Sequence, residues 1–290
     1  MKILILGASG LIGHKLYQEL KPRFDQVRGL VRRSREEMSQ FGLFEEEDMI
    51  YDVDVLEFKK LTGIITALKS DVVLNCVGIT KRKEEIEDPL LAIETNALFP
   101  HKLARWAGDN GVRVIHFSTD CVFDGTEGPY NEDSPTTGKD AYGRTKALGE
   151  IRYDHSLTIR SSFIGQEILG KTELLEWFLN QPNDQIRGFT EAWYSGVSTK
   201  VMARVVGDII EHHPDLGGLY QLAIPEPISK YDLLQKAREA YEVDVEIIPD
   251  SSFSIKPTLD GSRLAEKLQL RVPAWDDMMQ ELSTEKNQYQ

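Results

Sequence analysis

Cysteine is nearly absent from this chain. Only Cys76 and Cys121 occur in 290 residues, which excludes a disulfide framework. Neither stands in a CxxC or Cys/His cluster, so no metal is expected. Basic charge is in deficit: 34 Lys and Arg face 47 Asp and Glu, a net charge of −13. The basic face of a duplex nucleic-acid binder is therefore not expected. No apolar run approaches the ~18 residues of a membrane span. The opening MKILILGASG is apolar for only five residues before turn residues begin, too few for the core of a secretory signal. These absences predict a cytoplasmic protein with neither membrane nor nucleic-acid partners. Acidity leaves room for a small anionic ligand, which needs only local N–H groups and a few cations. The runs FEEED (44–48) and KRKEEIED (81–88) read as solvated surface.

What is present is an alternation of apolar runs and helical patterns. KILIL (2–6) is followed by GASGLIG and then by LIGHKLYQEL at helical period: strand, glycine turn, helix. VRGLVR (27–32), MIYDV (49–53), DVVLNCVG (71–78), VRVIHFST (112–119) and LTIRSSF (157–163) read as further strands. Helical patterns fill 55–68, about 88–107, and the AYGRTKALGEIRY segment. Strands apolar on both faces, alternating with helices, predict a parallel sheet covered on both sides: a doubly wound α/β fold of Rossmann type. Beyond residue 164 the alternation loosens. The expected elements there are helices at 199–213 and 229–242, strands at 218–223 and 243–249, and two short helices to the end. The expected division is a dinucleotide-binding domain of 1–163 plus 194–226, and a smaller α/β substrate lobe of 164–193 plus 227–290.

Gly7, Gly10 and Gly13 follow the first strand and open the first helix. That spacing serves a tight turn, close approach of backbone to a pyrophosphate, and close helix–strand packing. The phosphates are expected on the N–H groups of Gly10, Leu11 and Ile12. A glycine-rich turn alone is a weak signal; the flanking strand and helix strengthen it. At the end of the second strand stand Arg32 and Arg33, with no carboxylate. Arginine accommodates a ribose 2′-phosphate, so NADPH is expected ahead of NADH. Asp52 and Val53 are expected to border the adenine. Cys76, Val77 and Gly78 end the fourth strand, with Thr80 two residues on, at the carboxyl edge where such sheets bind ligands.

Tyr142 and Lys146 stand four apart and lie on one helical face. A phenol with a pKa near ~10 needs a nearby cation to act near neutral pH. Taken alone, such a pair is common by chance and is more often structural than catalytic. The fifth strand, however, runs out into Ser118, Thr119 and Asp120. A hydroxyl there is placed to stabilise charge on a carbonyl oxygen while Tyr142 protonates it.

With these motifs assembled, the chain resembles an extended short-chain dehydrogenase/reductase, and within that superfamily the dTDP-4-dehydrorhamnose reductase family. The residues that carry the likeness are GASGLIG (7–13), FSTDCVFDG (117–125), AYGRTKALGE (141–150) and IRSSFIG (159–165). The resemblance implies reduction of the 4-keto group of a dTDP- or UDP-linked 6-deoxy sugar by a reduced nicotinamide. It implies Thr119, Tyr142 and Lys146 as the catalytic set, with Tyr142 and Lys146 also meeting the cofactor. It further implies that Thr80, Asp120, Cys121 and Phe163 line the sugar pocket. The family usually has tyrosine in place of Cys121 and often tryptophan in place of Phe163, so a different sugar substituent, such as an acetamido group, is expected. Some relatives dimerise through Mg²⁺ held partly by a glutamate where this chain has Lys15. A homodimer is compatible with the likeness; that metal contact is not. Arg160, Lys171, Lys200, Lys256 and Arg263 are candidate diphosphate partners, and Trp193 and Tyr194 either stack on a base or pack the lobe. The alternatives are an epimerase or dehydratase on the same scaffold, or a non-catalytic NADP-binding regulatory subunit.

Overall fold

The structure is a computed structural model that describes residues 1–289. Its strands, in chain order, begin with β1 (Lys2–Leu6), β2 (Gln26–Leu30), β3 (Met49–Ile50), β4 (Val72–Asn75), β5 (Arg113–Ser118) and β6 (Ser156–Arg160). They continue with β7 (Phe163–Ile164), β8 (Gln185–Tyr194), β9 (Val197–Ser198), β10 (Gly218–Gln221), β11 (Ile228–Ser229) and β12 (Glu246–Ile255). Seven of these form one sheet in the order β10-β6-β5-β4-β1-β2-β3. The pairs β1–β2, β1–β4, β2–β3 and β4–β5 are parallel. The fold is thus a Rossmann-type doubly wound α/β sheet.

The chain divides into two compact units. The first comprises 1–118, 140–159 and 203–219. Its central strands are largely buried because helices cover both faces; β4, VVLN, is buried at every position. On one face Leu4, Leu6, Val73 and Val114 pack with Leu61, Ile65, Phe99 and Leu103. Each such side chain taken from water contributes roughly 1.5–3 kcal/mol. The helices are α1 (Gly13–Leu20), α2 (Arg35–Ser39), α3 (Phe58–Leu68), α4 (Pro89–Ala92), α5 (Phe99–Asp109) and α6 (Ala141–Leu148). The expected helix over 88–107 is interrupted: residues Ile93–Leu98 between α4 and α5 form a π-turn. Such a turn inserts one extra residue into the helical ladder, and it recurs near functional sites. β3 stops at Ile50, short of its expected end, because Asp52 takes a left-handed φ of 57°.

The second unit comprises 119–139, 160–202 and 220–290. Here β11, β8 and β12 form a three-stranded sheet, β8 pairing antiparallel with β11 and parallel with β12. The ten-residue β8 was not foreseen, since QIRGFTEAWY mixes apolar and charged residues without a clear period. The helices are α7 (Leu174–Leu179), α8 (Thr199–His212, only its first turn in this unit), α9 (Lys230–Tyr241), α10 (Ser262–Leu268) and α11 (Trp275–Ser283). Gly188 of β8 lets α9 approach, because a Cβ there would meet Tyr231 at 2.9–3.0 Å. Lys236 of α9 pairs with Asp276 of α11 at 2.5 Å. Among the described residues no helix is long and apolar enough to cross a membrane.

Candidate active site

The glycine turn is built as its spacing predicts. Gly7 has φ 75°, and a Cβ there would stand 3.2 Å from Val77 Cγ2 and 3.3 Å from the backbone of Cys76. A Cβ on Gly13 would collide with Gly7 O and approach Ala8 Cα to 2.9 Å. Only glycine lets α1 sit so close to the strand it follows. Gly10 N–H closes the turn onto Gly7 O at 3.0 Å. Leu11 and Ile12 are therefore the next backbone donors ahead of α1. The turn brings Gly7, Cys76 and Val77 together, as the sequence reading requires of one site.

At the end of β2, Asp52 N donates to Arg33 O at 3.1 Å and Val53 N to Val31 O at 3.2 Å. These contacts bring Asp52 and Val53 to the arginine pair. Arg33 is tied to Glu37 at 2.7 Å within the first turn of α2, while Arg32 is exposed with no ion pair among the described residues. Arg32 is thus the cation better placed to meet a phosphate. Cys76 is half-buried, and desolvation pushes its thiol up despite the nearby Lys146. It stays neutral, with no nucleophilic character.

Lys146 is buried to 5% exposure on α6, a helix capped by Asp140, whose carboxylate accepts from Gly143 N. Its Nζ donates to Phe117 O at 2.7 Å and lies 3.3 Å from His116 Nε2. Desolvation brings its pKa down to about 8, against the opposing fields of Glu150 and Cys76. Tyr142 stands one turn earlier on the same helix. The loop at Gly78–Thr80 is anchored by Asn96 of the π-turn. Ile79 N donates to Asn96 Oδ1 at 2.8 Å, and Asn96 Nδ2 donates to Ile79 O at 2.9 Å and Thr145 Oγ1 at 3.2 Å.

In the second unit, Thr119 caps the turn that follows it. Its Oγ1 accepts from Cys121 N at 3.1 Å and donates to Asp120 Oδ1 at 3.0 Å. Its proton is therefore directed at Asp120, and donating to a ligand requires that bond to be exchanged. Tyr194 lies beside this segment. Its hydroxyl is pushed up by burial and then by Asp120 and Glu173, while its ring packs on Trp275 at 5.6 Å. Phe163, in β7, is held by the β7–β9 pair.

Three of the candidate diphosphate partners are already engaged within this unit. Arg160 is fully buried, 5.1 Å above the Phe123 ring, and donates to Gln221 Oε1 at 3.4 Å. Lys200 pairs with Glu285 at 2.6 Å, and Arg263 pairs with Asp133 and Glu132. Lys171 and Lys256 remain on the surface. Sequence reading missed Asn75, Asn96 and His116, all buried polar residues. The available signal was a polar side chain inside an otherwise apolar strand, as in VVLN and VIHFS.

The chain is 27% identical to the dTDP-4-dehydrorhamnose reductase of Salmonella typhimurium over 312 residues, spanning 98% of each. It is 26% identical to methionine adenosyltransferase 2 subunit beta of Xenopus tropicalis over 83% of this chain and 72% of that one. A solved dTDP-4-dehydrorhamnose reductase from Clostridium acetobutylicum superposes with a TM-score of 0.80 at 22% identity, covering 99% of this chain and all of that one. Another, from Bacillus anthracis in complex with NADP, gives 0.78 at 18% identity, covering 98% and 99%. The family described as RmlD substrate binding domain matches residues 1–286, and the chain belongs to it.

Proposed function

We propose that this protein is a nucleotide-sugar reductase that uses NADPH to reduce the 4-keto group of a dTDP- or UDP-linked 6-deoxy sugar. The observation that supports this reading most is Lys146: a buried lysine with a pKa brought down to about 8, one turn from Tyr142. A buried lysine so perturbed is costly and marks a functional site more often than a structural one. The glycine turn fits a dinucleotide, because a Cβ at Gly7 would crowd Cys76 and Val77 and one at Gly13 would collide with Gly7 O, so only glycine keeps the turn this tight. The N–H groups of Leu11 and Ile12 would hold the pyrophosphate on the turn that Gly7, Gly10 and Gly13 keep tight, and Arg32, with Arg33 beside it, would meet the 2′-phosphate. Asp52 and Val53 would border the adenine, with Cys76, Val77 and Gly78 along the cofactor's edge.

When bound, the reduced nicotinamide supplies hydride to the carbonyl carbon. Tyr142 gives its phenolic proton to the carbonyl oxygen. Lys146 stabilises the phenolate left behind and offers a proton to restore it. Thr119 would offer its hydroxyl to the substrate once its bond to Asp120 is exchanged. Thr80, Asp120, Cys121 and Phe163 line the sugar, and the nucleotide falls to the lobe of 164–193 and 227–290. The Salmonella relative's name and the bacillary structure's bound NADP point the same way.

The test is loss of reduced-nicotinamide absorbance with a panel of dTDP- and UDP-linked 4-keto-6-deoxy sugars. Consumption with one sugar, faster with NADPH than NADH, is expected. Tight NADPH binding without consumption of any would overturn the reductase. It would favour an epimerase-type cycle or a regulatory subunit, the latter in keeping with the Xenopus relative's name.

A further inference from the structure

The buried polar residues behind Lys146 form a directed chain that begins in the backbone. Val77 N–H donates to Asn75 Oδ1 at 3.2 Å. This fixes the amide and turns its Nδ2 toward His116 Nδ1, 3.1 Å away. An amide NH₂ only donates, which favours Nδ1 as the acceptor, against a backbone contact with Asn75 that favours a ring N–H. A neutral imidazole that accepts at Nδ1 carries its proton on Nε2. Nε2 in turn lies 3.3 Å from Lys146 Nζ. His116 and Asn75 are at 0% and 1% exposure, so no bulk water competes for these contacts. An ammonium has only donors to present, and a donor facing Nε2–H is repelled. A neutral amine presents a lone pair, and the contact then becomes a hydrogen bond.

We infer that His116 is a positioning residue for Lys146, fixed by Asn75 as its Nε2–H tautomer so that it favours the neutral amine. The inference rests on Lys146 belonging to the catalytic set. It adds a directional contact to desolvation as a cause of that lysine's low pKa. The same burial and the Lys146 field hold His116 itself well below the ordinary histidine range, so the imidazole stays neutral and the tautomer stays single. Other titratable groups also act on this pair. Glu150, after α6, accepts from Ser118 Oγ at 2.8 Å and favours the ammonium. Cys76, at the end of β4, acts in the same sense. His101, on α5, acts on His116 in the direction of neutrality. Tyr142 shares α6 with the lysine.

During turnover the consequence is a lysine that releases its proton readily. After Tyr142 gives its proton to the carbonyl oxygen, Lys146 passes one proton to the phenolate. The neutral amine that results is the form that accepts from His116 Nε2–H. Proton count is conserved, and the amine regains its proton from solvent.

Two measurements test this. In the wild-type protein with histidine ¹⁵N-labelled, His116 is expected to show a protonated Nε2 and an unprotonated Nδ1 across the neutral pH range. The reverse tautomer, or an imidazolium, would overturn the inference even if no substrate is ever turned over. His116→Phe keeps a ring of similar size in the same dry place and removes the donor. Lys146, followed by ¹³Cε labelling and by the basic limb of the kcat profile, is then expected to titrate about half a unit to one unit higher. KM and NADPH affinity should stay within about twofold. A folded variant whose lysine titrates unchanged would leave His116 as packing only. A wild type with the expected tautomer and lysine titration but no turnover would sink the reductase reading instead.

Discussion

Tyr142 and Lys146 share one helical face; Lys146 is buried and Tyr142 is half-buried. Lys146 Nζ donates to Phe117 O at 2.7 Å, and in the proposed reaction Tyr142 is the group that gives its proton to the substrate. Tyr142→Phe is expected to lower kcat roughly a hundredfold or more, the usual worth of a positioned general acid. NADPH affinity should be unchanged by fluorescence titration, since the lost hydroxyl is spent on the substrate. Surviving turnover would reassign the acid. Cys121 raises a separate question at the same scale. Its amide is bound to Thr119 Oγ1, so its backbone is fixed whatever the side chain. Cys121→Tyr should therefore alter selectivity without moving the catalytic threonine. The expected result is a changed ratio of kcat/KM between sugars that differ in ring substituents. An unchanged ratio would remove Cys121 from the pocket.

The elements show where sequence is informative and where it falls silent. β1, β4 and β5 were legible because a strand buried on both faces must be apolar throughout. The glycine turn was legible because close approach admits only glycine. The π-turn was not. Its residues, Ile93–Leu98, keep a helical apolar pattern, and one inserted residue leaves no mark on periodicity. Only Pro100, in the first turn of α5, signals a new start, because proline needs no N–H partner there. The site residues followed the same division. Tyr142, Lys146 and Thr119 stand in motifs, whereas Asn96 and His116 act through contacts that only the fold creates. Asn96 makes an expected outcome concrete. It satisfies both backbone groups of Ile79 and reaches Thr145, so Asn96→Leu leaves several buried polar atoms unpaired. A loss of about 2–3 kcal/mol is expected, since each such orphan costs ~1–3 kcal/mol. Hydrogen exchange at Ile79 should quicken beyond the global change. Exchange that tracks global stability alone would mean the loop is held by something other than Asn96.

Across the whole molecule, burying Lys146, the lysine proposed to serve the chemistry, costs stability. Its folded pKa is brought from 10.5 down to about 8, so the native state prefers the neutral amine. Between those two values the unfolded chain binds the proton and the native one does not, so stability rises with pH through that window. Below about pH 8 both states are protonated and the native state carries the whole penalty. At ~1.4 kcal/mol per pKa unit, that penalty is on the order of 3 kcal/mol. Lys146→Met fills the same slot without charge, although it leaves Phe117 O without its donor, which returns part of the gain. The net expectation is a variant about 1–2 kcal/mol more stable than wild type at neutral pH and inactive as a reductase. The stabilities of the two proteins, from denaturant melts, should cross as pH climbs toward 10.5, where the wild type no longer carries the charge penalty while the variant still leaves Phe117 O without its donor. Melts that stay parallel would show the stability difference to be packing rather than charge. A Met variant less stable at neutral pH would mean that Lys146 is held charged by partners strong enough to repay its burial.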